Sequence, residues 1–177
     1  MGLTLITLFD SPSRNRISKA LSAVDEPLCK VPFARVADRI AADTLPMHFT
    51  VSAWKSSERE RVLKALSRLE LYPIELQVSG IGVMRGKEHS QVLYFEITPS
   101  EALTALQREV CELLPNPRYA PDDFKFHMTI CIDQDNRKIR RIRDLLETQF
   151  EPFSLTVSAL GLYEIYPAKQ VFRIDVK

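Results

Sequence analysis

An internal duplication constrains the fold of this chain more than any other feature of its sequence. Residues 48–97 align without a gap with residues 127–176, and 11 of these 50 positions are identical. The identical pairs are His48/His127, Thr50/Thr129, Arg61/Arg140, Leu66/Leu145, Pro73/Pro152, Leu76/Leu155, Val78/Val157, Ser79/Ser158, Gly82/Gly161, Gln91/Gln170 and Val92/Val171. Two copies offset by 79 residues are too few and too long for a solenoid, so we predict two similar halves, about 1–97 and 98–177. An approximate two-fold axis should relate the two halves, and a cleft should lie on this axis.

Hydrophobic periodicity predicts alternating strands and helices in one domain, 1–177. Period-two patterns predict a strand near the N-terminus and further strands at 47–54, 74–84, 91–97, 126–132, 153–163 and 170–176. Apolar stripes predict helices around 17–24, 62–69, 103–114 and 139–146, with a further short helix around Val36 and Ile40. Thr98 should cap the third of the four longer helices, and Asp133 and Asp135 the fourth. The fold class is therefore α+β.

Composition excludes several classes of protein. With 45% hydrophobic and 27% charged residues, the 177-residue chain can bury a core, and no apolar run approaches the length of about 18 that a membrane span needs. The N-terminus has no basic region, so we predict no signal peptide. The three cysteines, Cys29, Cys111 and Cys131, are odd in number and far apart, which favours a reducing compartment. We predict a cytoplasmic monomer that makes no contact with a membrane.

Two of the three histidines occupy equivalent positions of the repeat, and a threonine follows each of them two residues later. His48 precedes Thr50, and His127 precedes Thr129. On a strand, side chains two residues apart point to the same side, so each imidazole should have a hydroxyl beside it. The two-fold relation can bring both pairs together across the cleft.

Two imidazoles and two hydroxyls suit phosphodiester chemistry without a metal or a cofactor. One neutral imidazole can take a proton from water or a ribose hydroxyl while the other, protonated, gives one to the leaving oxygen. The threonine hydroxyls can hold the nonbridging phosphate oxygens. We therefore predict His48 and His127 as catalytic residues and Thr50 and Thr129 as phosphate-binding residues. A symmetric pattern does not say which histidine is the acid.

The same residues also fit other accounts. The histidines can be half-buried structural side chains beside threonines that favour β-structure. A zinc site fits poorly, because His127 and Cys131 lie about 13 Å apart along a strand and cannot share one ion. Cys131 as a nucleophile has only its proximity to His127 in its favour, and a buried thiol is the simpler account.

The motifs His48-Phe49-Thr50 and His127-Met128-Thr129 each lie on a strand that a helix and two further strands follow. This pattern resembles the 2H phosphoesterase superfamily, specifically the 2′-5′ RNA ligase-like (LigT-like) proteins. The resemblance covers nearly the whole chain, including an opening strand that ends at Asp10 with Pro12 after it. It implies a bilobal α+β fold in which two antiparallel sheets line a central cleft and helices pack outside.

The resemblance also implies hydrolysis of 2′,3′-cyclic or 2′-5′ phosphodiesters in an RNA end or a small nucleotide. Carried over residue by residue, His48 and His127 are the acid and base pair, and Thr50 and Thr129 hold the phosphate. Members of the family often carry an arginine five residues after the second histidine, where this chain has Ile132. The rival functions are a non-catalytic RNA- or nucleotide-binding protein that uses the same cleft, and a ligand-sensing or scaffold protein.

Further candidates for substrate binding come from two tyrosines and a basic segment. Tyr119 precedes the second motif strand and Tyr166 lies in the final hairpin. Either can stack on a base at the mouth of the cleft or serve only in packing. Residues 137–143 include five Lys or Arg, which can contact RNA phosphates or form a solvated outer face.

Overall fold

The computed structural model describes residues 2–24, 45–86, 89–116, 124–165 and 168–177. Within these ranges, the elements in chain order are β1 (Gly2–Phe9), α1 (Ser11–Leu21), β2 (Thr50–Lys55), α2 (Arg59–Leu66), β3 (Ile74–Arg85), β4 (Gln91–Thr98), α3 (Glu101–Leu113), β5 (His127–Asp133), α4 (Asn136–Glu147), β6 (Phe153–Ile165) and β7 (Lys169–Asp175). The α+β class is confirmed. The short helix expected around Val36 and Ile40 lies outside the described residues. None of the described helices is both long and apolar enough to cross a membrane.

Side chains that accept hydrogen bonds from free amides mark where α1, α3 and α4 begin, whereas α2 has no such cap. Asp10 caps α1 and Asp135 caps α4, each by accepting hydrogen bonds from backbone amides of the first turn. The expected cap of α3 was wrong. Ser100 accepts a hydrogen bond from the Leu103 amide at 3.2 Å, whereas Thr98 is the last residue of β4.

The seven strands of the described chain form one antiparallel hydrogen-bonded sheet. Six of them follow the order β2-β1-β6-β3-β4-β5, and β7 pairs with β6 outside this order. The order reads the same from either end when β2 is matched with β5, β1 with β4 and β6 with β3. The strands of the two expected sheets are thus joined through β3 and β6, and their arrangement as two lobes around a cleft stays a prediction.

The pairing of β3 with β6 at the centre of this order is symmetric about the duplication. Leu76 lies opposite Leu155, which is its own counterpart in the repeat. On one side of this pair Ile74 lies opposite Val157, and on the other side their repeat counterparts lie opposite each other. A surface that pairs with its own copy in this way has a local two-fold axis at its centre, here at the Leu76–Leu155 pair.

The irregularities of the sheet repeat in the same way. The register between β3 and β4 shifts after Val78, and the register between β6 and β1 shifts after Val157, at the same position of the repeat. The β4–β5 register shifts at Tyr94, and the β1–β2 register shifts at Ile6. Because the bulges match, β1 takes beside β6 the place that β4 takes beside β3, although β4 aligns in sequence with β7.

The main hydrophobic core lies between the sheet and the four described helices. Its helical contributions include Ile17 and Leu21 of α1, Val62 and Leu66 of α2, Leu103, Leu106 and Val110 of α3, and Ile139, Ile142 and Leu146 of α4. A second, smaller cluster consists of Ile6, Leu8, Leu45, Ala159 and Tyr163. Since Ile6 and Leu8 alternate along β1 with core residues, this second cluster lies on the other face of the sheet.

We predict that shortening either leucine at the two-fold axis destabilises the fold. Leu76 is 1% exposed and Leu155 is fully buried. Leu76→Ala and Leu155→Ala should each lower the free energy of unfolding by about 2–5 kcal/mol, because a buried cavity remains. Leu145→Ala is the matched control, since Leu145 is 43% exposed, and it should change stability by about 0.5 kcal/mol or less. Urea unfolding followed by circular dichroism measures all three, and equal effects would contradict the central role of the pair.

Candidate active site

The ring of His48 is held by the main chain. His48 lies two residues before β2, is partly exposed, and its Nδ1 lies 2.7 Å from the carbonyl oxygen of Pro46. A carbonyl oxygen only accepts hydrogen bonds, so Nδ1 carries a hydrogen and donates it. In the neutral ring this leaves Nε2 as the unprotonated nitrogen, which can accept a proton.

His127 is held in the same way at the start of β5. Its Nδ1 donates to the carbonyl oxygen of Lys125, also at 2.7 Å, and its side chain is partly exposed. Lys125 is the repeat counterpart of Pro46, so both imidazoles use the equivalent main-chain acceptor. Each histidine can therefore take up or release a proton at Nε2.

The two threonines occupy matching positions in the sheet. Thr50 lies opposite Ile6 of β1, and Thr129 lies opposite Tyr94 of β4, each next to a register shift. Both threonines are partly exposed. Thr129 points to the same side of β5 as His127, because the two residues are separated by one. The hydroxyl and the imidazole of this motif thus share one face, as the sequence predicts.

Aromatic packing brings the two motifs next to each other. The ring of Phe49, the residue after His48, lies 5.4 Å from the ring of Phe126, the residue before His127. The backbone of Phe49 is fixed from the other side by Thr7, whose Oγ1 accepts from the Phe49 amide at 3.0 Å and whose amide donates to the Phe49 carbonyl at 3.0 Å. Buried contacts therefore fix the backbone beside both histidines.

The side chains next to the two histidines differ in polarity. Glu96 lies opposite His127 in the β4–β5 ladder, and the ring of Tyr94 lies 5.5 Å from the His127 ring at an angle of 73°. The equivalent places on β1 are taken by Leu8 and Ile6 of the second apolar cluster. The site is therefore symmetric in its backbone and asymmetric in its charges.

A lysine completes the surroundings of His127. The Nζ of Lys125 donates a hydrogen bond to the Tyr94 hydroxyl and lies 4.7 Å from the centre of the Tyr94 ring. The hydrogen bond to Tyr94 raises the pKa of Lys125, and the negative charge of Glu96 raises it further. Sequence reasoning missed Lys125, Tyr94 and Glu96. Only the position of Lys125, two residues before His127, was a visible signal.

A cavity of about 490 Å³, which we call the Pro46 cavity, opens beside the first motif. Pro46, whose carbonyl holds His48, forms part of its wall together with Leu8. Arg14 and Arg173 add guanidinium groups to the lining. The volume is typical of small-ligand sites, so a nucleotide-sized molecule fits in a cavity whose wall includes Pro46 and Met47, the two residues before His48.

The other candidates have different outcomes. Tyr119 and Tyr166 lie outside the described residues, so their proposed contact with a base stays a prediction. In the basic segment on α4, Lys138 pairs with Asp133 at 3.1 Å and Arg143 pairs with Asp144 at 2.9 Å. These two cations are therefore engaged with the protein's own carboxylates.

Comparisons with known proteins agree with this architecture. A model of the 2′-5′ RNA ligase superfamily matches residues 3–167. No curated protein sequence matches the chain. Among solved structures, the protein TT0787 of Thermus thermophilus has a TM-score of 0.61 and 16% identity, and the match covers 99% of this chain and 98% of that one.

Two structures of LigT from E. coli are also similar. The apo form has a TM-score of 0.59 and 12% identity, covering 100% of this chain and 98% of that one. The complex of LigT with 3′-AMP has a TM-score of 0.57 and 12% identity, covering 99% and 96%. At these identities the likeness establishes the fold. Because the family model spans both histidine motifs and every element from β1 to β6, the chain belongs to the 2′-5′ RNA ligase superfamily of 2H phosphoesterases.

Proposed function

We propose that this chain is a metal-independent phosphodiesterase that hydrolyses 2′,3′-cyclic or 2′-5′ phosphodiester bonds of RNA ends or small nucleotides. The observation that carries the proposal is the equivalent setting of His48 and His127. Each ring donates its Nδ1 hydrogen to a main-chain carbonyl at 2.7 Å, so in the neutral ring Nε2 is the nitrogen that can accept a proton. Membership in a family of phosphoesterases and ligase-like proteins supports the same chemistry.

The reaction needs one base and one acid. As the oxygen of water bonds to phosphorus, one neutral Nε2 takes its proton, and the other imidazolium gives its Nε2 proton to the departing ribose oxygen. The bond from phosphorus to that oxygen breaks, which leaves a phosphomonoester and a ribose hydroxyl. In the reverse direction, which forms a diester, the two rings exchange roles.

The remaining groups suit the substrate. The hydroxyls of Thr50 and Thr129 can donate to nonbridging phosphate oxygens, where negative charge develops in the transition state. The Pro46 cavity offers room for a nucleoside on the side of His48. LigT, which shares the fold, has been solved with 3′-AMP, and this supports a nucleotide as the ligand. We also infer that the chain acts as a cytoplasmic monomer, from its isolated cysteines and balanced charge.

We predict that both histidines are required for turnover. Replacement of His48 or His127 by Ala should lower turnover by about 10²- to 10⁴-fold, since each removes one proton-transfer group. His48→Asn and His127→Asn are stricter variants, because the short amide can keep the hydrogen bond to the carbonyl while nothing replaces Nε2. Hydrolysis of a 2′,3′-cyclic nucleotide, a 2′-5′ dinucleotide and a 3′-5′ dinucleotide control in EDTA measures the effect.

Thermal unfolding of the same variants is the control for folding. Asn variants that unfold at the wild-type temperature but have lost turnover support the acid and base assignment. Wild-type turnover in either Asn variant, or loss of wild-type activity in EDTA, would contradict the mechanism. If no diester is cleaved and the His48→Ala/His127→Ala double variant binds RNA with unchanged, salt-dependent affinity, the chain is a non-catalytic RNA-binding protein.

We also predict that the threonine hydroxyls act mainly in the transition state. Thr50→Val and Thr129→Val keep the shape and the β-branch, so the strand is preserved while the hydrogen-bond donor is lost. Each should lower kcat by about 10²-fold or more with a smaller change in KM. Thr50→Ser and Thr129→Ser restore the hydroxyl and should recover most of the activity. Steady-state kinetics on the best substrate of the panel decides, and Val variants with wild-type kcat would rule out this role.

A further inference from the structure

Lys125 places an ammonium group next to the second histidine motif. Its Nζ donates a hydrogen bond to the Tyr94 hydroxyl and lies above the Tyr94 ring, 4.7 Å from its centre. The same ring lies 5.5 Å from the ring of His127. Because Tyr94 lies opposite Thr129 in the β4–β5 ladder, the ring is on the face that carries the motif. We call Lys125, Tyr94 and His127 the Lys125 cluster.

A glycine on the neighbouring strand makes room for the ring of Tyr94. Gly82 lies opposite Tyr94 in the β3–β4 ladder, and a Cβ atom at residue 82 would overlap the phenol ring and its hydroxyl. The absence of a side chain at Gly82 lets the phenol lie across β3, where Tyr94 is only 1% exposed. A buried phenol packed over Gly82 is a well-placed hydrogen-bond acceptor for the ammonium group of Lys125.

The ammonium group retains capacity for a further partner. It has three N–H donors, and the bond to Tyr94 uses one of them. Lys125 itself is exposed, so a ligand on this face can reach it. Among the described residues, the charged and titratable groups near Lys125 include Tyr94, Glu96, which lies opposite His127, and His127 itself. A fixed cation beside a proton-transfer group suits an anion better than a neutral ligand.

We propose that Lys125, anchored by Tyr94, donates a hydrogen bond to a nonbridging oxygen of the substrate phosphate. This inference rests on the proposed function and adds to it a positive charge, which the two threonine hydroxyls cannot supply. Charge-assisted hydrogen bonds to phosphate are about twice as strong as neutral ones. The cation also offsets the repulsion between the substrate phosphate and Glu96.

The Lys125 cluster makes the two halves of the site different. The repeat counterpart of Lys125 is Pro46, and that of Thr129 faces Ile6 rather than a tyrosine. The Lys125 ammonium group therefore lies on the His127 side, while the Pro46 cavity, with Arg14 and Arg173 in its lining, lies on the His48 side. The phosphate at the reacting bond should lie toward Lys125, with the rest of the nucleotide toward the Pro46 cavity.

Binding of inorganic phosphate tests the inference separately from catalysis. Lys125→Met keeps the apolar stem and should weaken phosphate binding, measured by titration calorimetry, by about 10-fold or more. Tyr94→Phe keeps the ring but removes the anchor, so it should weaken phosphate binding by a smaller factor. Lys64→Met, at an exposed lysine on α2, is the matched control and should bind phosphate as the wild type does.

Replacement of Glu96 distinguishes a direct bond between Lys125 and phosphate from simple neutralisation of the Glu96 charge by Lys125. In a Glu96→Gln background, Lys125→Met should still weaken phosphate binding by the same factor, because the bond to phosphate is lost in both backgrounds. If the effect disappears there, Lys125 acts only by screening Glu96 and the inference is wrong. Unchanged phosphate binding in Lys125→Met would also overturn it. If the wild type cleaves no diester but Lys125→Met still weakens phosphate binding, the proposed function fails and the phosphate contact stands.

Discussion

The antiparallel pairing of β3 with β6 supports every other part of the sheet. β4 and β5 extend outward from β3, while β1 and β2 extend outward from β6. Leu76 and Leu155 lie opposite each other at the centre, so the two directions are equivalent. A slip of one residue in this ladder would turn the side chains of one strand to the other face. The central register therefore determines where both outer strands present their motifs.

Main-chain hydrogen bonds hold the two catalytic candidates, and this has a consequence for the duplication. The acceptors for His48 and His127 are carbonyl oxygens, which every residue type provides. The side chains at these two positions were therefore free to differ without altering either imidazole. One position is now Pro46, at the wall of a cavity, and the other is Lys125, which supplies an ammonium group.

The combination of a symmetric backbone with asymmetric side chains suits a nucleotide substrate. In the proposed reaction, the two rings transfer protons in either direction, and the repeated geometry gives both neutral rings the same tautomer. A nucleotide, in contrast, has a charged end and a largely uncharged end. The strands that face the two motifs can distinguish these ends, since Glu96 and Tyr94 on β4 correspond to Leu8 and Ile6 on β1.

The sequence by itself determined the duplication, the α+β class and the two His and Thr pairs, because identity at a fixed offset and local periodicity are visible in one dimension. The sequence did not predict the cap of α3, because two neighbouring elements compete for the same residue there. Thr98 remains in the β4 ladder opposite Gln77, so Ser100 caps α3 instead. Only the tertiary structure placed Tyr94 and Lys125 beside His127. That contact depends on the register between β4 and β5, which brings together residues about 30 positions apart, and such a register arises from hydrogen bonding across the sheet rather than from any local pattern.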